Sequence, residues 1–132
     1  MSVNKLEALL DSISAIKGWN NPDSEAYQLR NPLMVKSFSK PGKNEITEDG
    51  HRIFSTQLAG VRAGLFDLDL KIRGKSRAGI KADDLLENVL RVYGIIELGG
   101  QQAVMKFLKR ALKTQDIKTT TPLKWFTEEN NN

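Results

Sequence analysis

Acid–base chemistry in this chain has to come from carboxylates. Cysteine is absent and there is one histidine, His51. Thiol nucleophiles, disulfides, thiolate metal centres and multi-histidine sites are thereby excluded, and a Ser-His-Asp triad would hang on a single ring. Glu25, Glu45, Glu48 and Asp49 fall in loop-like sequence. A carboxylic acid held beside a leaving oxygen can protonate it, and Glu25, Glu45 and Glu48 are positions from which that could be done. The ordinary reading of the same residues is solvated loop charge. His51, next to Gly50, reads as a surface or strand-edge histidine, and no metal or cofactor is expected.

Two further groups could bind rather than react. Trp19 and Tyr27 could stack on a sugar ring, or pack a helix end against the loop that follows. Lys71, Arg73, Lys75, Arg77 and Lys81 put five cations in eleven residues. The stretch has no interleaved aromatics, no Gly-Lys-Ser/Thr phosphate loop and no helix-turn-helix pattern. It is read as exposed and suited to an acidic protein neighbour, and nucleic acid is disfavoured.

The elements that must carry these residues are mostly helical. Asn4 can cap a first helix, with Glu7 three residues on. Leu6, Leu9, Leu10, Ile13 and Ile16 supply its apolar face, and Gly18 its end. Residues 18–32 are rich in turn formers and long for an ordered loop. Met34–Phe38 and Arg52–Phe54 read as short strands, with turns at Pro41-Gly42 and Asp49-Gly50. Ser55 or Thr56 opens a long helix to Arg73. Its two apolar stripes predict burial on more than one side, with Leu58, Val61, Leu65, Phe66, Leu68 and Ile72 inside. The pair Gly60 and Gly64 reads as a packing step. A third helix follows Asp83 and Asp84, with Leu85, Leu86, Val89, Leu90 and Tyr93 inward. A fourth runs from Gln101 to Lys113, with Val104, Phe107, Leu108, Ala111 and Leu112 inward.

The 132 residues suffice for one domain. Residues 1–132 are read as that domain, with 114–132 as a C-terminal tail. With 39% hydrophobic and 27% charged residues, composition argues against disorder. The net charge of +4 permits an anionic partner without requiring one. No signal peptide is read at the N-terminus, and no apolar run approaches the ~20 residues of a membrane span. The expected class is α+β, mostly α, with a small β hairpin and a central buried helix.

The order helix, loop, β piece, buried helix resembles lysozyme-like folds. Ala15-Ile16-Lys17-Gly18-Trp19, then Ser24, Ala26-Tyr27 and Arg30-Asn31-Pro32, looks like a small family of phage and bacterial lytic transglycosylases. That family carries Glu-Gly-Trp at the helix end, followed by Asn-Asn-Pro-Gly-Asn-Leu-Arg. Gly50 and Phe54 fit its Gly-x-x-x-Phe strand end, and Gly60 and Ala63 its Gly-x-x-Ala helix step. Leu86, Val89 and Tyr93 fit further on, with Glu97 near an acidic position. The resemblance implies a lysozyme-like single domain with a glycan or partner cleft near Trp19, Tyr27, Asn31 and Met34. It also exposes departures. Lys17 stands where the family places its general acid, and Leu33-Met34 stands where it has Gly-Asn. A lysine near its usual pKa of ~10.4 is a poor acid and repels an oxocarbenium-like centre. The resemblance therefore implies a non-enzymatic virion protein among other virion proteins, made in the host cytoplasm, with peptidoglycan as a residual ligand. The alternative is an active lytic enzyme with a displaced carboxylate.

Overall fold

A computed structural model describes residues 4–36, 45–75, 79–81 and 83–128. Among the described residues the chain is mostly helical, 49% helix against 5% strand. The helices are α1 (Lys5–Ile16), α2 (Glu25–Gln28), α3 (Gln57–Ile72), α4 (Leu86–Val92) and α5 (Gln101–Ala111), followed by a 3₁₀ turn, Leu123–Thr127.

Local chemistry sets the start and end of α1. The Asn4 side chain accepts hydrogen bonds from the backbone N–H groups of Leu6 and Glu7. Gly18 follows the last turn at φ 93°. There Trp19 N–H donates to Ser14 O and Gly18 N–H to Ala15 O, the two bonds of a Schellman end. A Cβ on Gly18 would lie 2.6 Å from that of Ser24, so no other residue fits this bend.

The central helix is α1, not α3. It packs against both α3 and α5, and the 3₁₀ turn closes over α1 and α3. Leu9 and Ile13 meet Leu68, Ile72, Leu86, Leu90, Val104 and Leu108 in one core. The expectation that α3 is buried all round is corrected. Leu68 and Ile72 are buried, but Leu58 is 58% and Phe66 67% exposed, and Val61 and Leu65 are only partly buried. The reason lies on the inward line of α3, which is Gly60, Gly64, Leu68 and Ile72. Its glycines bring the helix backbone against Arg30 O and the Leu10 and Leu33 side chains. Only one face can approach so closely, and Leu58 and Phe66 are left outside it. Phe107 is likewise 39% exposed rather than inward.

The expected β hairpin reduces to isolated antiparallel bridges, Lys36 with His51 and Ile46 with Arg52. Part of the first expected strand and the Pro41-Gly42 turn lie outside the described residues.

The segment after α5 is structural. Ile117, Leu123 and Phe126 are core residues. The carbonyls of Thr121 and Thr119 accept from Leu86 and Glu87 N–H, satisfying donors that the first turn of α4 leaves open. Lys5 Nζ donates to Trp125 O and lies 4.0 Å from the Trp125 ring centroid, a cation–π contact that ties this segment to α1.

Candidate functional site

The region expected to hold a cleft is assembled from the chain between α1 and α3. Ser24 organises its first part. Its hydroxyl donates to Gly18 O and accepts from Tyr27 N–H, capping α2. Asn31 organises the second. Its amide donates to Val35 O and to Arg52 O, each at 3.0 Å, and its oxygen accepts from Val35 N–H. Arg52 N–H donates to Val35 O and Phe54 N–H to Leu29 O. Asn31 is therefore a buried staple between the two halves of the β region, and its amide is already committed to the protein's own backbone.

Two hollows flank this assembly. One, of about 500 Å³, is lined by Tyr27, Gln28, Arg30, Ser55, Thr56 and Gln57 among others. The other, of about 460 Å³, is lined by Arg30, Glu45, Arg52, Phe54 and Ser55 among others. Arg30 and Ser55 belong to both, so the hollows adjoin. Their lining is rich in hydroxyl, amide and guanidinium groups, suited to a polar ligand held by hydrogen bonds. Thr56 caps α3 by accepting from Ala59 N–H. Arg52 Nε is buried without a hydrogen-bond partner, and its guanidinium lies 5.3 Å from the Phe54 ring centroid. Composition and spacing did not single out Arg30 and Arg52 as groove residues. Thr56 was visible only as a cap.

The singled-out residues are dispersed around this groove. Tyr27 and Glu45 line it. Trp19 and Met34 are half-buried, and Glu48 is exposed. Met34 holds φ 53°, a left-handed conformation that Gly and Asn adopt most readily. Lys17 is half-buried at the C-terminal cap of α1 and lines neither hollow. Burial pushes the pKa of its ammonium down, and the negative charge of Glu97 partly opposes that shift.

Glu25, Asp49 and His51 converge beside α2, each offering one donor atom, all within 4.8 Å of one another. His51 Nδ1 is 3.0 Å from Asp49 Oδ2, without a well-directed hydrogen bond. The Thr47 hydroxyl donates to the Asp49 carboxylate and accepts from His51 N–H. The hydrogen bond from Thr47 holds the Asp49 carboxyl below its ordinary pKa.

The basic stretch is corrected at its first member. Lys71 is buried, with Nζ 2.7 Å from Asp67 Oδ2, because it stands beside Ile72 at the edge of the buried face of α3. Arg73 is exposed and pairs with Asp69 at 2.9 Å. Lys75 and Lys81 are exposed, and Arg77 lies outside the described residues. Cations paired one helical turn back along α3 present little net field to a phosphate backbone.

Fold and groove together define an α-rich domain with a polar surface groove. No family model, curated protein or solved structure matches the chain. Among the described residues, no helix is long and apolar enough to cross a membrane.

Proposed function

We propose that the chain is a non-enzymatic structural protein of a phage or virus particle, with a lysozyme-like fold derived from a peptidoglycan transglycosylase. The observation that carries the loss of catalysis is Lys17 at the end of α1. Where the resembling family needs a protonated carboxyl, this chain has an ammonium, half-buried and under the influence of Glu97. A cation there opposes the charge that develops on the sugar during cleavage. Descent from the family is supported by the backbone at Met34. The family's asparagine aligns with this position, and φ is 53° here, where asparagine is favoured and methionine is not.

The setting in a particle rests on the resemblance, which is to a family common in phage. It is supported by large apolar side chains left in water, including Leu58, Phe66 and Leu98, which suit contact with neighbouring proteins. Peptidoglycan remains a ligand in this reading, bound without being cut. Mass spectrometry of purified particles is expected to find the chain at a fixed copy number. Its presence in infected cells but never in particles contradicts this setting. Lys17→Glu is expected to recover at most a trace of cleavage, because Leu33 and Met34 still lack the family's glycine and amide.

A second reading, a lytic enzyme with a displaced carboxylate, draws on Glu45. This residue lines the groove beside Arg30 and Arg52. It requires that the wild-type chain cleaves and that Glu45→Gln does not.

A further inference from the structure

We propose that Glu25, Asp49 and His51 form a binding site for a divalent transition-metal ion of the Zn²⁺ class, which pins α2 to the turn that carries Asp49 and His51. The inference is independent of whether the groove retains or cleaves a glycan.

The donor set is one imidazole and two carboxylates, a combination suited to Zn²⁺ and its neighbours rather than to Mg²⁺ or Ca²⁺, which take oxygen ligands. The spacing is close to what such an ion needs. Tetrahedral Zn²⁺ with bonds of about 2.0–2.2 Å places adjacent donor atoms roughly 3.3 Å apart. His51 Nδ1 and Asp49 Oδ2 are 3.0 Å apart, and all three donor atoms fall within 4.8 Å. Glu25 is the donor that must close the remaining distance, and its side chain is exposed and able to turn.

The histidine carries the argument beyond an ordinary acidic patch. Its side chain is 18% exposed, and Nδ1 is shut off from water without a well-directed hydrogen-bond partner. Its near neighbour is Asp49 Oδ2 at 3.0 Å, itself a donor of the proposed site. With the ring proton on Nε2, the Nδ1 lone pair is available to bind an ion. Asp49 and His51 lie on one short turn. Glu25 comes from a separate element, so an ion would cross-link two segments that adjoin the groove, and water would complete its coordination.

The chain has no cysteine and one histidine, so the test has little background. The untagged full-length protein is titrated with ZnCl₂ by calorimetry and with CoCl₂ by visible absorption, while the His51 ring protons are followed by NMR. The expected result is saturable binding of one ion per chain, with the His51 ring resonances shifting in step. His51→Gln and Glu25→Gln are each expected to weaken binding at least about tenfold. The exposed change Asp83→Asn leaves binding unaltered, and MgCl₂ leaves the His51 resonances in place. Glu25→Gln keeps the test decisive if His51→Gln fails to fold. Absence of saturable Zn²⁺ binding overturns the proposal, as does wild-type affinity in either variant.

Discussion

Gly60→Ala is expected to cost about 3 kcal/mol or more of folding stability, at the upper end of what one added methyl does in a packed interior. A Cβ at Gly60 would lie 1.7 Å from the carbonyl oxygen of Arg30 and 3.2 Å from Cδ of Pro32. Both sides of the clash with Arg30 are backbone, so no side-chain rotation relieves it. Arg30 itself is held at φ 53° between α2 and the Asn31 staple. The methyl must therefore push α3 off the segment that builds the groove. Gly64→Ala is a milder case. Its Cβ would meet the flexible end of Leu10 at 3.1 Å, and a loss of about 1 kcal/mol is expected. Urea unfolding of the three proteins checks the order. A wild-type midpoint for Gly60→Ala would show that α3 does not lie against Arg30.

The second large effect is expected at Asp67. Its carboxylate accepts from Lys71 Nζ at 2.7 Å and from Tyr93 Oη at 2.5 Å, and the Lys71 ammonium lies 4.9 Å from the Tyr93 ring centroid. Side-chain exposure is 20% for Asp67 and 9% for Lys71, so solvent screens the pair only in part. Asp67→Ala leaves a buried ammonium and a buried hydroxyl without their acceptor, and about 3 kcal/mol should be lost. Asp67→Leu combined with Lys71→Met, which removes both charges, should recover much of that loss. The same site sets a limit in alkali. Burial, and then the negative charge of Asp67, push the Tyr93 phenol far above its ordinary pKa. The folded chain keeps the phenol proton after the unfolded chain has begun to lose it near pH ~10. The unfolded state then binds fewer protons, so stability falls as pH rises above ~10, by roughly 1.4 kcal/mol per pH unit from this group. Below pH ~10 this contribution is fully present. In Tyr93→Phe that part of the decline should vanish, and denaturation midpoints measured from pH 8 to 11.5 check it.

What the sequence made legible was local. Asn4, the apolar spacing of α1 and Gly18 act within a few residues of one another, and the helix they predict is the helix observed. The inward face of α4 was legible for the same reason, with Leu86, Val89, Leu90 and Tyr93 buried. The orientation of α3 was not. Its apolar residues are spread over a wide arc in sequence, and the part that faces inward is set by Gly60 against a carbonyl thirty residues earlier. Lys71 was misplaced because its partners are Asp67, one turn back, and Tyr93, beyond the end of α3. The bridges around Asn31 depend on one side chain reaching two separated carbonyls, which no strand pattern encodes. Glu25, Asp49 and His51 were each noticed, but their convergence depends on where Ser24 and Thr47 fix the backbone.

The proposed loss of a general acid at Lys17 is tested most directly by peptidoglycan cleavage. Purified wild-type protein is incubated with peptidoglycan sacculi, and soluble muropeptides are followed by chromatography alongside Glu25→Gln, Glu45→Gln and Glu48→Gln. General acid catalysis is commonly worth ~10²–10⁴ in rate, so its loss should leave release at the level of the buffer blank in all four proteins. Robust release by the wild type, abolished by one of the three substitutions, would contradict the account and identify the displaced acid.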